Sequence, residues 1–596
     1  LIVVDEGHIV GDISPRASLL EFLLIRLKIK VQGLKTLFIS AVMPPDNADE
    51  YSLWLNGVSD KVIRSLLYDS STTLEEWEPT RKLIGSFEWS GANGVITFKN
   101  ISTENEETRA RTSAFVPAVI RKKQFVNQYP NGDNKAQTSA SLAFERSKDG
   151  NCLIFCAQVR DTDRVGTALL NIISAVEADG QQFPAHFNRN TQTESHFFSR
   201  KWYGHDSYVT RCIERGIGVH YGDMPEAVRR SVESDYVAGN LRILISTNTV
   251  GQGLNFPIKH LIIHSTIISN GVYVGVRDFW NIIGRAGRAG KETEGEIIFV
   301  VKSLTDKRSY DKYTDKSNIE AAYSMFLTVL KGMISNRISI NTYERYMEII
   351  SESYVMNLLA EETLDTEDQQ QIELIINNSL FKVQADRQEI DLQPIRQSFS
   401  TIFKSIRNTV PPELLQVFGQ TGFILKSNQA ISSFIDTNLL ALEVLVATDD
   451  YLEYLKMILA LFSEDNIEEV TSDKIRAIGK SHSDFYEIAK SWIEVKEINE
   501  IQEQWRSISD SPNRLNILIS DGFYYRYTWG ITAFTTILIS KLSIGREDLP
   551  EGIRNLPSFI KYGVNNATAC LARSLAIKNR DVSVILAQQS GGLRGR

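Results

Sequence analysis

The chain has 596 residues, with 65 Lys and Arg against 73 Asp and Glu and a formal charge of −8. Its 42% hydrophobic and 23% charged content is that of an ordinary globular protein, and the length predicts roughly three to five domains. No apolar run approaches the roughly 18 to 20 residues that cross a bilayer, which argues against a membrane partner, and the acidic balance excludes a surface that binds nucleic acid throughout, though not a local basic channel.

The first four residues, Leu1-Ile-Val-Val4, read as a buried strand running straight into Asp5-Glu6-Gly7-His8. Carboxylates at the carboxyl end of such a strand stand where α/β sheets place ligands. A chain that opens inside a core strand is expected to be truncated, with part of the first domain upstream. Residues 36–40 form a second short strand, and 47–56 a helix with Trp54 and Leu55 on its apolar side. Residues 85–100 alternate around the turn Gly91-Ala-Asn-Gly94. The stretch 101–149 is polar and mixed, with a turn at Pro130-Asn-Gly-Asp133.

A βα rhythm begins at Asn151: a strand at 152–156, a helix to about 176, and a polar insertion at 180–205. An extended segment at 217–221, a helix at 225–238 and strands at 241–246, 260–264 and 295–301 follow. Such alternation predicts a parallel sheet covered on both faces. After Lys302 the periodicity is helical, with acid concentrated at 360–368 and 464–469. The cysteines Cys152, Cys156, Cys212 and Cys570 are too few for a disulfide framework, and the first two lack the second ligand pair of a zinc site. They read as reduced thiols of a cytoplasmic protein.

The motifs in order resemble superfamily 2 DExH-box helicases, and most closely their Ski2-like branch, over residues 1 to about 302. Asp5-Glu6-Gly7-His8 is similar to motif II, and Ser40-Ala41-Val42 to motif III, with Val where the family usually has Thr. Asn47 to Leu55 and Trp77-Glu-Pro-Thr-Arg81 resemble the segments after it. Gly218-Val-His-Tyr-Gly222 with Arg229, Arg230 and Glu233 resembles the turn and helix before motif V. Ser246 to Pro257 resembles motif V, and Phe279 to Gly290 motif VI, with Asn281 where the family has Gln.

The resemblance implies ATP and Mg²⁺ as cofactors. Asp5 would hold Mg²⁺ through its water shell, Glu6 would orient the attacking water, and His8, Gly251 and Asn255 would face the nucleotide. Thr247 would contact a nucleic-acid phosphate, with Ser40 on the same strand path. Charge builds on the γ-phosphate during transfer, and a guanidinium suits it. Arg288 is the candidate arginine finger and Arg285 its neighbour, both expected on one face of an opening helix. The only Gly-Lys-Ser, Gly479-Lys480-Ser481, has Lys474 where a phosphate loop needs Gly, and reads as a helix end. Without a Walker A loop these 596 residues are expected to be inactive alone.

The expected architecture is α/β: two RecA-like parallel-sheet domains, the first incomplete, then a mainly helical C-terminal region. The boundaries are 1–110 for the remainder of the first domain and 111–302 for the second. Residues 303–420 form a winged-helix-like or helical connector, and 421–596 a helical ratchet-like domain. Two C-terminal features stand out. Phe523 to Trp529 is rich in aromatics around Arg526, reading as core packing or as a stack for unpaired bases. Leu556 to Val564 with 567–577 resembles a degenerate helix-hairpin-helix. The implied activity is a 3′ to 5′ helicase or translocase on single-stranded or partly duplex nucleic acid, DNA favoured over RNA, with a nuclease or other defence-system subunit as partner. An RNA helicase and a non-catalytic nucleic-acid-binding scaffold are the alternatives.

Overall fold

The computed structural model describes residues 1–5, 7–11, 15–40, 45–57, 81–90, 93–99, 110–111, 120–121, 128–180, 184–248, 256–269, 272–287, 294–361, 368–464, 467–509, 512–575 and 577–591. The chain divides into two units, residues 1–62 with 321–596, and residues 63–320.

In the first unit, β1 (Ile2–Val4) and β2 (Thr36–Phe38) pair in parallel, with Val4 opposite Phe38. The intervening helix Pro15–Lys30 buries Phe22, Leu24 and Ile25. Phe22 stacks on Tyr354 with 4.1 Å between ring centroids and meets Phe326 edge-on at 5.2 Å. Glu21 on the same helix is fully buried and accepts from the Ser324 hydroxyl at 2.6 Å and the Leu380 amide at 3.1 Å. Trp54 donates to the Asn378 carbonyl at 2.7 Å, and the Gln384 amide donates to Glu50 at 2.8 Å. The N-terminal α/β segment and the helices after 320 therefore share one core. The expected division of 1–110, 303–420 and 421–596 into separate domains gives way to this shared burial.

The second unit holds β3 (Arg81–Ser90), β4 (Asn93–Lys99), β5 (Ala110–Arg111), β6 (Ile120–Arg121), β7 (Gln128–Tyr129), β8 (Cys152–Phe155), β9 (Ile217–His220), β10 (Ile243–Ser246), β11 (His260–Ile263), β12 (Ile267–Ser269), β13 (Val272–Tyr273) and β14 (Glu294–Val301). Eight of them form one sheet in the order β5-β4-β3-β14-β11-β8-β10-β9; β6 with β7 and β12 with β13 are separate antiparallel pairs. From β3 to β9 every neighbour is parallel, and β4 and β5 add an antiparallel edge. The strands at the centre are buried on both faces, as their unbroken Ile, Leu and Val runs require.

The boundary expected at 110/111 is corrected here. β3 lies beside β14 through eight residue pairs, from Arg81 opposite Glu294 to Glu88 opposite Val301. The alternating hairpin is thus the edge of the second sheet, and not the tail of the first domain. The polar insertion carries a helix of its own, Glu194–Tyr203, capped by Thr193.

Among the described residues after β14 there is no strand, so the connector is helical and carries no wing. The helix Leu425–Thr448 is long and apolar enough to cross a membrane by length and composition, although Lys426, Asp436 and Glu443 interrupt its apolar residues. Its polar residues are spread out, so the length shows only in the mean. Its N-terminus is held by two carboxylates from elsewhere: Glu352 accepts from the Leu425 amide, and Glu469 accepts from the Ile424 amide at 2.7 Å and the Ser427 hydroxyl at 2.6 Å. Gly479, with φ of +74°, precedes a short 3-10 helix capped by Ser481. The Gly-Lys-Ser triplet is a helix terminus, as its sequence predicts.

Burial pushes the Glu21 carboxyl up to about 7, against the opposing pull of Ser324 and the backbone amides of Phe381 and Leu380. Burial also brings Glu352 to about 7, with Glu348 and Glu469 adding repulsion and the Leu425 amide opposing. Both folded values exceed the ordinary 4.5. The folded state therefore holds more protons than the unfolded one between pH 4.5 and 7, and stability falls as pH rises through that window. For Glu21 the loss is on the order of 3 kcal/mol. Glu21→Gln keeps the acceptor oxygen and does not ionise. Its denaturant midpoint is expected above wild type at pH 8 and close to it at pH 5; equal midpoints at pH 8 would refute the buried-carboxylate assignment.

Candidate nucleotide and nucleic-acid interface

Parallel strands expose their last amide and carbonyl groups at one edge, and of the described candidates Asp5 and Ser40 stand at such an edge in the first unit and Thr247 in the second. In the first unit Asp5 follows β1 and Ser40 follows β2. Their strands are closed by Ile39 donating to the Val4 carbonyl at 2.8 Å and Gly7 donating to the Ile39 carbonyl at 2.8 Å. Asp5 is exposed and Ser40 half-buried. A Cβ on Gly7 would lie 2.0 Å from the Phe38 ring, so only glycine lets the chain turn beside that side chain. An exposed carboxylate at a parallel strand end suits a magnesium ion held through water. Glu6, the side chain of His8, the Ala41-Val42 pair and the segment 77–80 lie outside the described residues.

In the second unit β10 ends at Ser246 between β8 and β9. Thr247 follows, nearly buried, its amide donating to the His220 carbonyl at 3.1 Å. The Ser246 hydroxyl donates to the Thr247 carbonyl at 2.9 Å. His220, 1% exposed, donates from Nε2 to Glu233 at 2.8 Å, on the helix Glu226–Val237. Beside this edge, an open cleft of about 720 Å³ is lined by Ala157, Gln158, Val159, Arg160, Ile268 and Ser269. Gln158 Nε2 donates to the Ile267 carbonyl at 2.9 Å, tying the start of the helix Val159–Ala178 to the β12–β13 hairpin. That hairpin exposes Ile268, Val272 and Tyr273. Sequence reasoning passed over cleft and hairpin alike. The signal for the hairpin was Ser269-Asn270-Gly271, a turn sequence between two apolar pairs.

The helix Val276–Ile283 carries Phe279, Trp280 and Asn281. Its first amides, Val276 and Arg277, donate to the Glu320 carboxylate at 2.8 Å each. Arg285 stands after this helix, 4% exposed, with its amide donating to the Ile282 carbonyl at 3.1 Å. The expectation that Arg285 opens a helix is corrected: the chain leaves helical geometry before Gly287, whose φ is +64°. Ala286 bridges to Ile258, and Gly287 donates to the Ile258 carbonyl at 2.8 Å. The segment after motif V and the second half of motif VI are thereby stitched together. Gly251, Asn255 and Arg288 lie outside the described residues.

The aromatic run proves to be divided. Phe523 and Tyr527 are buried, whereas Tyr525 is 58% and Trp529 41% exposed. Arg526 is an internal strut, donating to Asp521 at 3.2 Å and to the Glu469 carbonyl at 2.7 Å. In the helical hairpin, the Gly563 amide donates to the Phe559 carbonyl at 2.8 Å and so does not offer itself to a phosphate.

Residues 181–290 match the helicase conserved C-terminal domain, a span that contains both Thr247 and Arg285. The Hachiman protein HamB of Bacillus cereus is 23% identical over 99% of this chain and 54% of its own length. The ATP-dependent DNA helicase Hel308 of Pyrobaculum calidifontis is 26% identical over 51% of the chain and 36% of its own length. The ATP-dependent DNA helicase MER3 of Saccharomyces cerevisiae is 25% identical over 52% and 21%. The chain thus spans about half the length of HamB and less of the other two.

The stitched turn gives a direct test of its own. A Cβ on Gly287 would fall 2.5 Å from the Gly295 amide nitrogen, at a φ that L residues seldom adopt. Gly287→Ala is expected to cost about 1–3 kcal/mol from backbone strain and more from the clash. Urea unfolding of the variant should show a lowered midpoint; an unchanged one would mean that β14 does not need this close approach.

Proposed function

The chain belongs to the superfamily 2 helicases, and we propose that it forms most of the motor of an ATP-dependent translocase of the Ski2-like branch, moving 3′ to 5′ on single-stranded DNA. The observation that carries this reading is the joined geometry of motifs V and VI. Thr247 stands at the carboxyl edge of a parallel sheet, and the Ile258–Ala286 bridge sets Arg285 on the chain that runs back beside the end of motif V. An RNA track is the second reading, and the DNA helicases among the relatives favour the first.

Magnesium-bound ATP supplies the phosphoryl group and the free energy of its transfer. Asp5 would hold the metal's water shell, and Glu6 would take the proton of the attacking water. Arg285 and Arg288 would place positive charge against the γ-phosphate, where charge develops in the transition state. His8, Gly251 and Asn255 complete the proposed nucleotide contacts. Thr247 and Ser40 would each donate a hydroxyl to a phosphate of the strand, and Arg160 in the cleft would add a cation in the second unit. The exposed Tyr525 and Trp529 offer rings on which unpaired bases stack. The similarity to a Hachiman protein along nearly the whole chain supports a setting in antiviral defence, with a nuclease or another subunit as partner.

The test is ATP hydrolysis by the full-length protein without nucleic acid, with single-stranded DNA and with single-stranded RNA. Stimulation by DNA is expected; stimulation by RNA alone would transfer the reading to an RNA motor, and no hydrolysis by folded protein would make it a binding scaffold. Glu6→Gln should retain ATP binding and lose turnover. Arg288→Ala should lower kcat by about 10³-fold or more, the scale of an arginine finger. Wild-type turnover in either variant would remove that residue from the chemistry.

A further inference from the structure

We propose that His220 and Glu233 form a positioning pair that sets Thr247 for the phosphate of the bound strand. The inference rests on the reading of Thr247 as a strand contact and adds what holds it in place. His220 closes β9 directly opposite Ser246 in the parallel register. Its carbonyl accepts from the Thr247 amide at 3.1 Å, and its Nδ1 lies 3.5 Å from the Ser246 hydroxyl oxygen. That hydroxyl has a single proton, within reach of both Nδ1 and the Thr247 carbonyl, which lies 2.9 Å away. Thr247 is therefore tied to His220 at its amide, through the His220 backbone carbonyl, and the Ser246 hydroxyl lies between the imidazole and the Thr247 carbonyl. The ring is held from outside by Glu233 at 2.8 Å, whose side chain keeps 16% of its surface in solvent.

The helix Glu226–Val237 does not need this contact in order to stay in place. Tyr236 donates to the Cys152 carbonyl at 3.1 Å, and Asp235 accepts from the Ser195 amide at 2.8 Å and the Asn240 side chain at 2.9 Å. The carboxylate of Glu233 is thus available to fix the ring's rotation and its tautomer, with the proton on Nε2. A charged acceptor makes this contact stronger than the one between the ring and the Ser246 hydroxyl. Thr247 then meets a phosphate already oriented, without loss of side-chain and peptide freedom on binding.

The experiment measures ATP hydrolysis of the full-length protein against the concentration of a single-stranded oligodeoxythymidine. Thr247→Val, His220→Ala, Glu233→Ala, His220→Gln and the double variant Thr247→Val/His220→Ala are compared. His220→Ala is expected to raise the half-stimulating concentration about tenfold with little change in the maximal rate, a coupling typical of residues in one network. Glu233→Ala should give a shift in the same direction from the helix side, which keeps the test open if loss of the buried ring unfolds the sheet. His220→Gln, which retains a donor toward Glu233, should recover most of the affinity. In the Thr247→Val background the His220 change should add little. Effects that multiply, or a fall in maximal rate with no change in the half-stimulating concentration, overturn the proposal alone. A Thr247→Val variant with wild-type strand dependence overturns the reading of Thr247 itself, and the proposal with it.

Discussion

Parallel pairing on both sides of β10 is the constraint from which the second unit is built. The strand has four residues, all buried, with β8 on one side and β9 on the other. Its interior positions bond to backbone on either flank, so its side chains have only to be apolar. The polarity that chemistry requires is forced to the strand's end, where Ser246 and Thr247 complete the ladder. Cys156 donates to the Ser246 carbonyl at 2.8 Å and Thr247 to the His220 carbonyl at 3.1 Å, so three strands finish at one level. Thr247 stands just past that level, and the helix that begins at Val159 and carries Arg160 follows the end of β8.

Much of this was legible because buried strands and amphipathic helices write their periods into the sequence. The strands expected at 152–156, 217–221, 241–246 and 260–264 were evident as short, mainly apolar runs, and the helix after Pro225 by its length and place in the βα rhythm. The place of β3 was not legible. Its alternation identifies a hairpin, and both readings of its sheet satisfy that alternation equally; only pairing with β14, more than two hundred residues on, distinguishes them. The position of Arg285 was misjudged for a related reason. Gly284 and Gly287 fit a loop or a helix terminus equally, and at Gly287, with φ of +64°, a Cβ would meet the backbone of Gly295, a contact the local sequence does not reveal.

The helical region resisted for a different reason. Helical periodicity tells which residues face a core, and not which helix supplies it. The residues 518–527 are wound as a π-helix, with more residues per turn than the α-period assumes. Buried Phe523 and Tyr527 still lie four apart, on the one face that an α-helical wheel would give them, with exposed Tyr525 opposite. Arg526 illustrates the same limit. A lone arginine among aromatics has the composition of a base-binding surface, yet its guanidinium is spent on a carboxylate and a carbonyl of its own unit.

The first unit is discontinuous in the chain, because residues 63–320 intervene between its two parts. Glu21 meets its partner Ser324 across 303 positions, and the Leu380 amide across 359. At a synthesis rate of about 5–20 residues per second, the helix bearing Glu21 waits roughly 15–60 s before the first of these groups exists. During that interval Phe22, Leu24 and Ile25 have no Phe326 or Tyr354 to cover them, and the buried carboxylate has no hydroxyl to receive. The second unit, whose strands all lie between 81 and 301, can complete its sheet in the meantime. The order of assembly is thus written into the topology: the inserted unit closes first, and the unit that surrounds it in sequence is born incomplete and in need of shelter.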